Sequence, residues 1–206
     1  MRIVCISDTH NRLERMEIPD GDVLLHAGDA TMAGKAEELE HFNTALGRLP
    51  HPHKVFIAGN HDWLFQRNNR QARAIITHAT YLEDDGCTVA GLRIWGSPWQ
   101  PWFGGWAFNL QRGEELREKW AHIPDGIDIL LTHGPPHGHG DTTLLGEHVG
   151  DEDLMEAVRR VKPRYHVFGH VHEGQGVSQE GGTKFINACM VDLDYRRGPA
   201  AVVVDA

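Results

Sequence analysis

Gly59-Asn60-His61-Asp62 places an amide, an imidazole and a carboxylate directly after the strand-like run Lys54-Val55-Phe56-Ile57-Ala58. Such groups at the end of an apolar run can ligate a cation or move a proton. Taken alone they also form turns and helix caps. Four other apolar runs end the same way. Asp8 and His10 follow residues 2–7, Gly28-Asp29 follows 22–27, His133 follows 127–132, and His170 and His172 follow 165–169. In extended chain, residues i and i+2 point to one side, so Asp8/His10 and His170/His172 are each expected to present two groups to one cleft. Carboxylate, imidazole and amide without thiolate suit manganese first, with iron, zinc or magnesium as alternatives, rather than a structural zinc site. The groups outnumber the needs of one ion. Two divalent ions about 3.5–4 Å apart, sharing a carboxylate, would use them all.

These groups need strands that end at one edge. Strand patterns cover 2–7, 22–27, 54–58, 80–83, 87–90, 92–96, 127–132, 165–169, 183–187 and 200–205. Near-continuous apolar runs such as Val23-Leu24-Leu25 and Ile129-Leu130-Leu131 suit strands buried on both faces. Helical periodicity runs over 35–48, 113–120 and 151–161, the last with Asp151 as cap and Pro163 as stop, and residues 63–79 are helical in part. The order βαβα, then consecutive strands, then βαβ predicts an α/β (α+β) fold. Its form is a four-layer αββα sandwich of two mixed sheets flanked by helices. Residues 97–111, rich in Trp, Pro and Gly, and 133–150, rich in Gly, Pro and His, read as long structureless loops, of the kind that are functional or mobile.

The 206 residues read as one domain, 1–206, without repeat or linker. Residues 2–6 read as a first strand, so nothing is expected to precede the fold, and the amino terminus has no signal-peptide pattern. A net charge of −9 disfavours a grip on long nucleic acid. No apolar run reaches the ~18 residues of a membrane span. Cys5, Cys87 and Cys189 are far apart and form no CxxC, which points to reduced thiols and a cytoplasmic location.

Taken together, Asp8-Thr9-His10, Gly28-Asp29, Gly59-Asn60-His61-Asp62, Thr132-His133-Gly134 and Gly169-His170-Val171-His172 resemble the motif set of the calcineurin-like metallophosphoesterases. Longer stretches resemble its MPPED metallophosphodiesterase subfamily. They are Cys5 to His10, Ser97-Pro98-Trp99-Gln100-Pro101-Trp102-Phe103, Asp128 to Pro136 and His166 to Gly174. The resemblance implies hydrolysis of small phosphodiesters, cyclic nucleotides foremost. Some members replace the first histidine of the last pair with glycine; His170 is retained here, which implies a complete second metal site. Carried over residue by residue, Asp8, His10, Asp29 and His172 would hold one ion. Asp29, Asn60, His133 and His170 would hold the other. His61 would protonate the leaving group, with Asp62 or another carboxylate orienting it, or with Asp62 as a structural anchor.

The chemistry is consistent with that assignment. A water bridging two divalent ions loses a proton near neutral pH and can attack phosphorus in line. The ions, with Asn60 and His61, can stabilise charge on the phosphoryl oxygens. An alkoxide leaving group needs a proton, which imidazole supplies in the right range. Asn60, His61, Trp99, Trp102 and His137 are candidates for contact with substrate. The aromatic residues of 97–111 either pin their loop by burial or form a wall on which a base stacks. Asn187 is placed to bond to the site from behind. A homodimer through the Trp-rich loop is a further expectation. The alternatives are a phosphomonoesterase, protein phosphatase or nuclease on the same two-metal site, or a non-catalytic metal-binding scaffold. Protein phosphatases of this fold carry arginine beside the Gly-Asp and Asn-His blocks. Ala30-Thr31-Met32 and Trp63 stand there instead.

Overall fold

The apolar runs fold as strands whose two faces are buried in different layers. The computed structural model describes residues 1–196 and 198–206. In chain order the first half contains β1 (Arg2–Ile6), β2 (Val23–His26), α1 (Ala36–Arg48), β3 (His53–Ile57), α2 (Trp63–Arg67), α3 (Asn69–Ile75), β4 (Thr80–Leu82), β5 (Asp85–Val89) and β6 (Leu92–Ser97). The second half adds β7 (Gln100–Pro101), β8 (Asn109–Leu110), α4 (Glu114–Ala121), β9 (Ile129–Thr132), α5 (Glu152–Val161), β10 (Tyr165–Phe168), β11 (Gly176–Glu180), β12 (Thr183–Asn187) and β13 (Val202–Asp205).

One sheet has the order β13-β1-β2-β3-β4 and the other β11-β12-β10-β9-β6-β5. In the first, β1 to β4 are parallel and β13 is antiparallel. In the second, β12, β10, β9 and β6 are parallel, with antiparallel β11 and β5 at the edges. Alternation sorts the side chains. Ile3, Cys5, Leu25 and Ile57 meet Ile94, Ile129, Leu131 and Val167 between the sheets. Val4, Ile6, Leu24 and Phe56 face the other way, onto Leu39, Phe42 and Leu46 of α1. Leu130, Phe168 and Phe185 pack on Leu116 and Trp120 of α4 and on Leu154 and Val158 of α5. The result is the expected αββα layering. Truncating a ring such as Phe56 to alanine would cost about 3–5 kcal/mol.

The terminal signals on α5 act as the sequence predicts. The Asp151 carboxylate accepts from the Asp153 amide, and the helix ends at left-handed Lys162 before Pro163. Two expectations need correction. Residues 97–111 are not structureless, since Gln100 and Pro101 pair in parallel with Asn109 and Leu110. Gly176–Glu180 forms an edge strand that the sequence does not announce, because its side chains are largely exposed and carry no apolar run.

Candidate metal centre

All seven expected ligands lie beyond the carboxyl ends of parallel strands: Asp8, His10, Asp29 and Asn60 follow β1, β2 and β3 of one sheet, and His133, His170 and His172 follow β9 and β10 of the other. This is where open α/β sheets place their sites. Backbone contacts lock the two sheets together there. The His170 amide donates to Asp8 Oδ2 at 3.1 Å, and the Met190 amide donates to the Ser7 carbonyl at 3.0 Å. The paired ligands do not converge by strand alternation, as extended chain would have done. Asp8 (φ 55°), His10 (φ 40°), Asp29 (φ 56°) and His170 (φ 69°) all take left-handed turns. Non-glycine residues in that region concentrate at functional sites. Gly59 and Gly169 serve by size: a Cβ on Gly59 would overlap the Asp29 carboxylate, and one on Gly169 would overlap Asp8 and Ser7.

The histidines share one arrangement. His10, His133 and His172 each donate Nδ1–H to a backbone carbonyl, those of Thr31 (3.2 Å), Ala27 (2.9 Å) and Asp192 (3.0 Å). A carbonyl only accepts, so this bond fixes the tautomer and leaves Nε2 facing inward. His133 Nε2 lies 2.9 Å from Asn60 Oδ1 and 3.4 Å from Asp29 Oδ2. His172 Nε2 lies 3.5 Å from Asp8 Oδ1. His10 Nε2 is buried without a hydrogen-bond partner, 3.9 Å from Asp8 Oδ1 and 3.8 Å from Asp29 Oδ2. His170 packs edge-on against His133 with ring centroids 5.1 Å apart. Lone pairs therefore converge on lone pairs, which only a cation or extra protons can satisfy.

The electrostatics express the same demand. Burial pushes the Asp29 carboxyl up, but the charge and hydrogen bond of His133, with His10 and His61, hold it below the usual carboxylate range. Burial pushes His133 down, yet Asp29 and Asp8 carry it up to about 9. His170 has weaker compensation, and burial takes it down to about 4. Among the described residues, three donor sets have all their atoms within 4.8 Å of one another: Asp8/His172/Cys189, His10/Asp29/His61 and Asp8/Asp29/His133. Residues of this kind at these positions fit hard or borderline divalent ions. Cys189 is a donor to the site instead. Burial and the carboxylate of Asp8 push its thiol well above the usual value, and Sγ donates to Asp8 Oδ2 at 3.0 Å.

His61 shares the pattern but with other neighbours. Its Nδ1 donates to the Met32 carbonyl at 2.7 Å, and its Nε2 stands 4.0 Å from Asp29 Oδ2. Asp62 does not orient this ring. Its carboxylate accepts from the amides of Gly59 (2.8 Å), Ala30 (3.2 Å) and Thr31 (2.9 Å) and from the Thr31 hydroxyl (2.7 Å). With every oxygen engaged, Asp62 ties the loop after β2 to the loop after β3, and a carbonyl takes the orienting role.

The remaining expected residues scatter. Trp99 is half-buried on Phe108, its indole donates to Asp84 at 2.9 Å, and the Lys119 ammonium lies over its ring. Trp102 is 57% exposed. His137 lines a separate cavity of about 630 Å³ with His148, Arg112 and Arg117. Asn187 donates to the carbonyls of Val171 and Gly140, bracing the segment between His170 and His172. Three further rings reach the centre, Phe103 from the stretch 97–103 and Trp106 and Tyr195 from outside any motif. Trp106 packs on His61 at a 30° tilt with centroids 4.3 Å apart, Phe103 meets His170 at 5.5 Å, and Tyr195 meets His10 at 4.8 Å. The aromatic density of 97–108 pointed at the loop but not at the ring that counts.

The chain is similar to known proteins in sequence and in fold. The calcineurin-like phosphoesterase family model matches residues 1–174. Human metallophosphoesterase domain-containing protein 1 is 44% identical over 99% of this chain and 70% of its own length. A solved crystal structure superposes with a TM-score of 0.70 at 17% identity, covering 90% of this chain and 89% of the other. A structure described as a novel archaeal phosphodiesterase gives a TM-score of 0.50 at 14% identity, covering 99% of this chain and 100% of that one. Those two likenesses concern the fold. Among the described residues no helix is long and apolar enough to cross a membrane. On the family match and the human relative, this chain belongs to the calcineurin-like phosphoesterases, metal-dependent hydrolases of phosphoric esters.

Proposed function

We propose that this protein is a two-metal phosphodiesterase acting on small diesters, with cyclic nucleotides as the leading substrate class and manganese as the leading metal. The observation that carries the reading is the position of Asp29 Oδ2, which lies 3.8 Å from His10 Nε2, 3.4 Å from His133 Nε2 and 4.0 Å from His61 Nε2. One oxygen thus faces both halves of the ligand set and the proton donor. Asp8, His10, Asp29 and His172 would hold one ion, and Asp29, Asn60, His133 and His170 the other. Such ions, when bound, activate water as the nucleophile and neutralise charge on the phosphoryl oxygens.

The chain's own residues supply the rest. The Asn60 side chain stands beside the phosphoryl position, where its amide orients an oxygen. His61 holds a proton on Nδ1 against Met32, so its acidic form carries the second proton on Nε2, the nitrogen that faces the cleft. That proton passes to the departing oxygen. Trp106 covers the other side of the His61 ring and restricts water there. Ala30 and Trp63 occupy the positions where protein phosphatases clamp a dianion with arginine, which favours a singly charged diester. A cytoplasmic location and a small-molecule substrate belong to the same reading. The test is a panel of 2′,3′- and 3′,5′-cyclic nucleotides, linear diesters and monoesters, run after reconstitution with manganese, iron or zinc. Preference for a cyclic nucleotide supports the proposal; preference for monoesters across all three metals refutes it.

A further inference from the structure

The loop between Val191 and Arg196 brings a tyrosine to the metal centre that no motif includes. Asp192 builds it: its Oδ1 accepts from the amides of Asp194 (2.9 Å) and Arg196 (2.8 Å), and its carbonyl accepts from the Tyr195 amide (3.0 Å). The same carbonyl receives His172 Nδ1–H at 3.0 Å, so the loop is fastened to an expected ligand. Within the turn Tyr195 takes a left-handed φ of 56°, unfavourable for a side chain of this size. That conformation sets its ring edge-on to His10 (4.8 Å), to His172 (5.5 Å) and, further off, to His61 (6.2 Å). A tyrosine that only filled space would be buried with its hydroxyl bonded. Tyr195 is instead partly exposed, and its hydroxyl has no hydrogen bond among the described residues. Trp106 already occupies the face of His61. Tyr195 therefore lines the His10 and His172 side of the centre, which on the diesterase reading is the side left for the ester group retained on phosphorus.

We infer that Tyr195 is a substrate-positioning residue that selects diesters whose retained ester group is flat and aromatic, as in aryl or nucleoside esters, over small alkyl ones. This rests on the diesterase reading of the same site. The test uses the metal-reconstituted full chain as wild type, Tyr195→Phe and Tyr195→Ala. Substrates are bis-p-nitrophenyl phosphate and ethyl p-nitrophenyl phosphate, which share a leaving group. Diphenyl phosphate and diethyl phosphate serve as competitive inhibitors. Loss of one stacking contact predicts that Tyr195→Ala raises KM for the bis-aryl substrate and Ki for diphenyl phosphate about tenfold. The ethyl pair should move less than about twofold, Tyr195→Phe should stay near wild type, and kcat and metal content should hold. Equal losses on all compounds with departing metal would make Tyr195 a structural prop, and no change in any constant would remove it from the site; either outcome overturns the inference. If wild type turns over only p-nitrophenyl phosphate, the diesterase reading fails, while the two Ki values measured against that substrate still decide the role of Tyr195.

Discussion

The Nδ1 of His61 donates to the carbonyl oxygen of Met32 at 2.7 Å, and Nε2 is left facing Asp29. A neutral carbonyl in this position fixes the ring without adding negative charge beside the acidic proton. Replacing His61 with alanine should lower kcat on diesters by about 10²–10⁴-fold, the range for loss of a general acid. Metal analysis of the purified variant should still find wild-type stoichiometry. Departure of an ion would make His61 a ligand, which the His10/Asp29/His61 cluster allows geometrically.

Asp62 predicts the opposite balance. Asp62→Asn turns an amide donor toward the N–H groups of Gly59, Ala30 and Thr31, and should destabilise the fold by about 2–3 kcal/mol in urea unfolding. Thr31→Val should cost less in the Asp62→Asn background than alone, because both changes break the 2.7 Å bond. Wild-type stability with a selective loss of turnover would restore Asp62 as a partner of His61.

The two halves of the Trp-rich loop should separate in kinetics. Trp106→Ala removes the tilted ring packed on His61 and should lower kcat/KM by about 2- to 10-fold, equivalent to one aromatic pair. Trp99→Phe breaks the bond to Asp84 and should cost about 1 kcal/mol of stability with kinetics unchanged. The reverse pattern would move the aromatic wall to Trp99.

The meeting of these groups at one place is legible in the sequence because each follows an apolar run closely enough for strand and group to be read together. Asp29 after Val23-Leu24-Leu25 and His133 after Ile129-Leu130-Leu131 are examples. The layering was legible for the same reason, since strands buried on both faces leave few architectures. Tyr195 and Trp106 were not legible. Each reaches the centre through a loop whose course depends on long-range bonds, such as Tyr195 through the Asp192 turn. For Asp62 the sequence leaves orienter and structural anchor both open, because spacing places a carboxylate beside His61 but says nothing about the three amides that capture it. The left-handed turns at Asp8 and His10 were equally hidden, because neither residue is glycine.

His166 makes acid stability a separate handle. It is fully buried beside Thr132, with Nε2 2.8 Å from the hydroxyl, and burial takes it down to about 3. Its folded value lies below the unfolded one, so the unfolded chain binds the extra proton between the two. Stability from this group is whole above the unfolded value, near pH 6.5, and falls as pH drops toward 3, at about 1.4 kcal/mol per pH unit at most. Unfolding free energy of His166→Gln, measured from pH 7 to pH 5, should fall less steeply than that of wild type. Parallel slopes would contradict the assignment.

The most direct test of the two-metal diesterase is hydrolysis of bis-p-nitrophenyl phosphate against p-nitrophenyl phosphate by the manganese-reconstituted chain, with Asp29→Ala beside it. Wild type is expected to bind two ions and to cleave the diester faster, and Asp29→Ala to lose both metal and activity. Faster cleavage of the monoester, or an Asp29→Ala variant that keeps its ions and its rate, would contradict it.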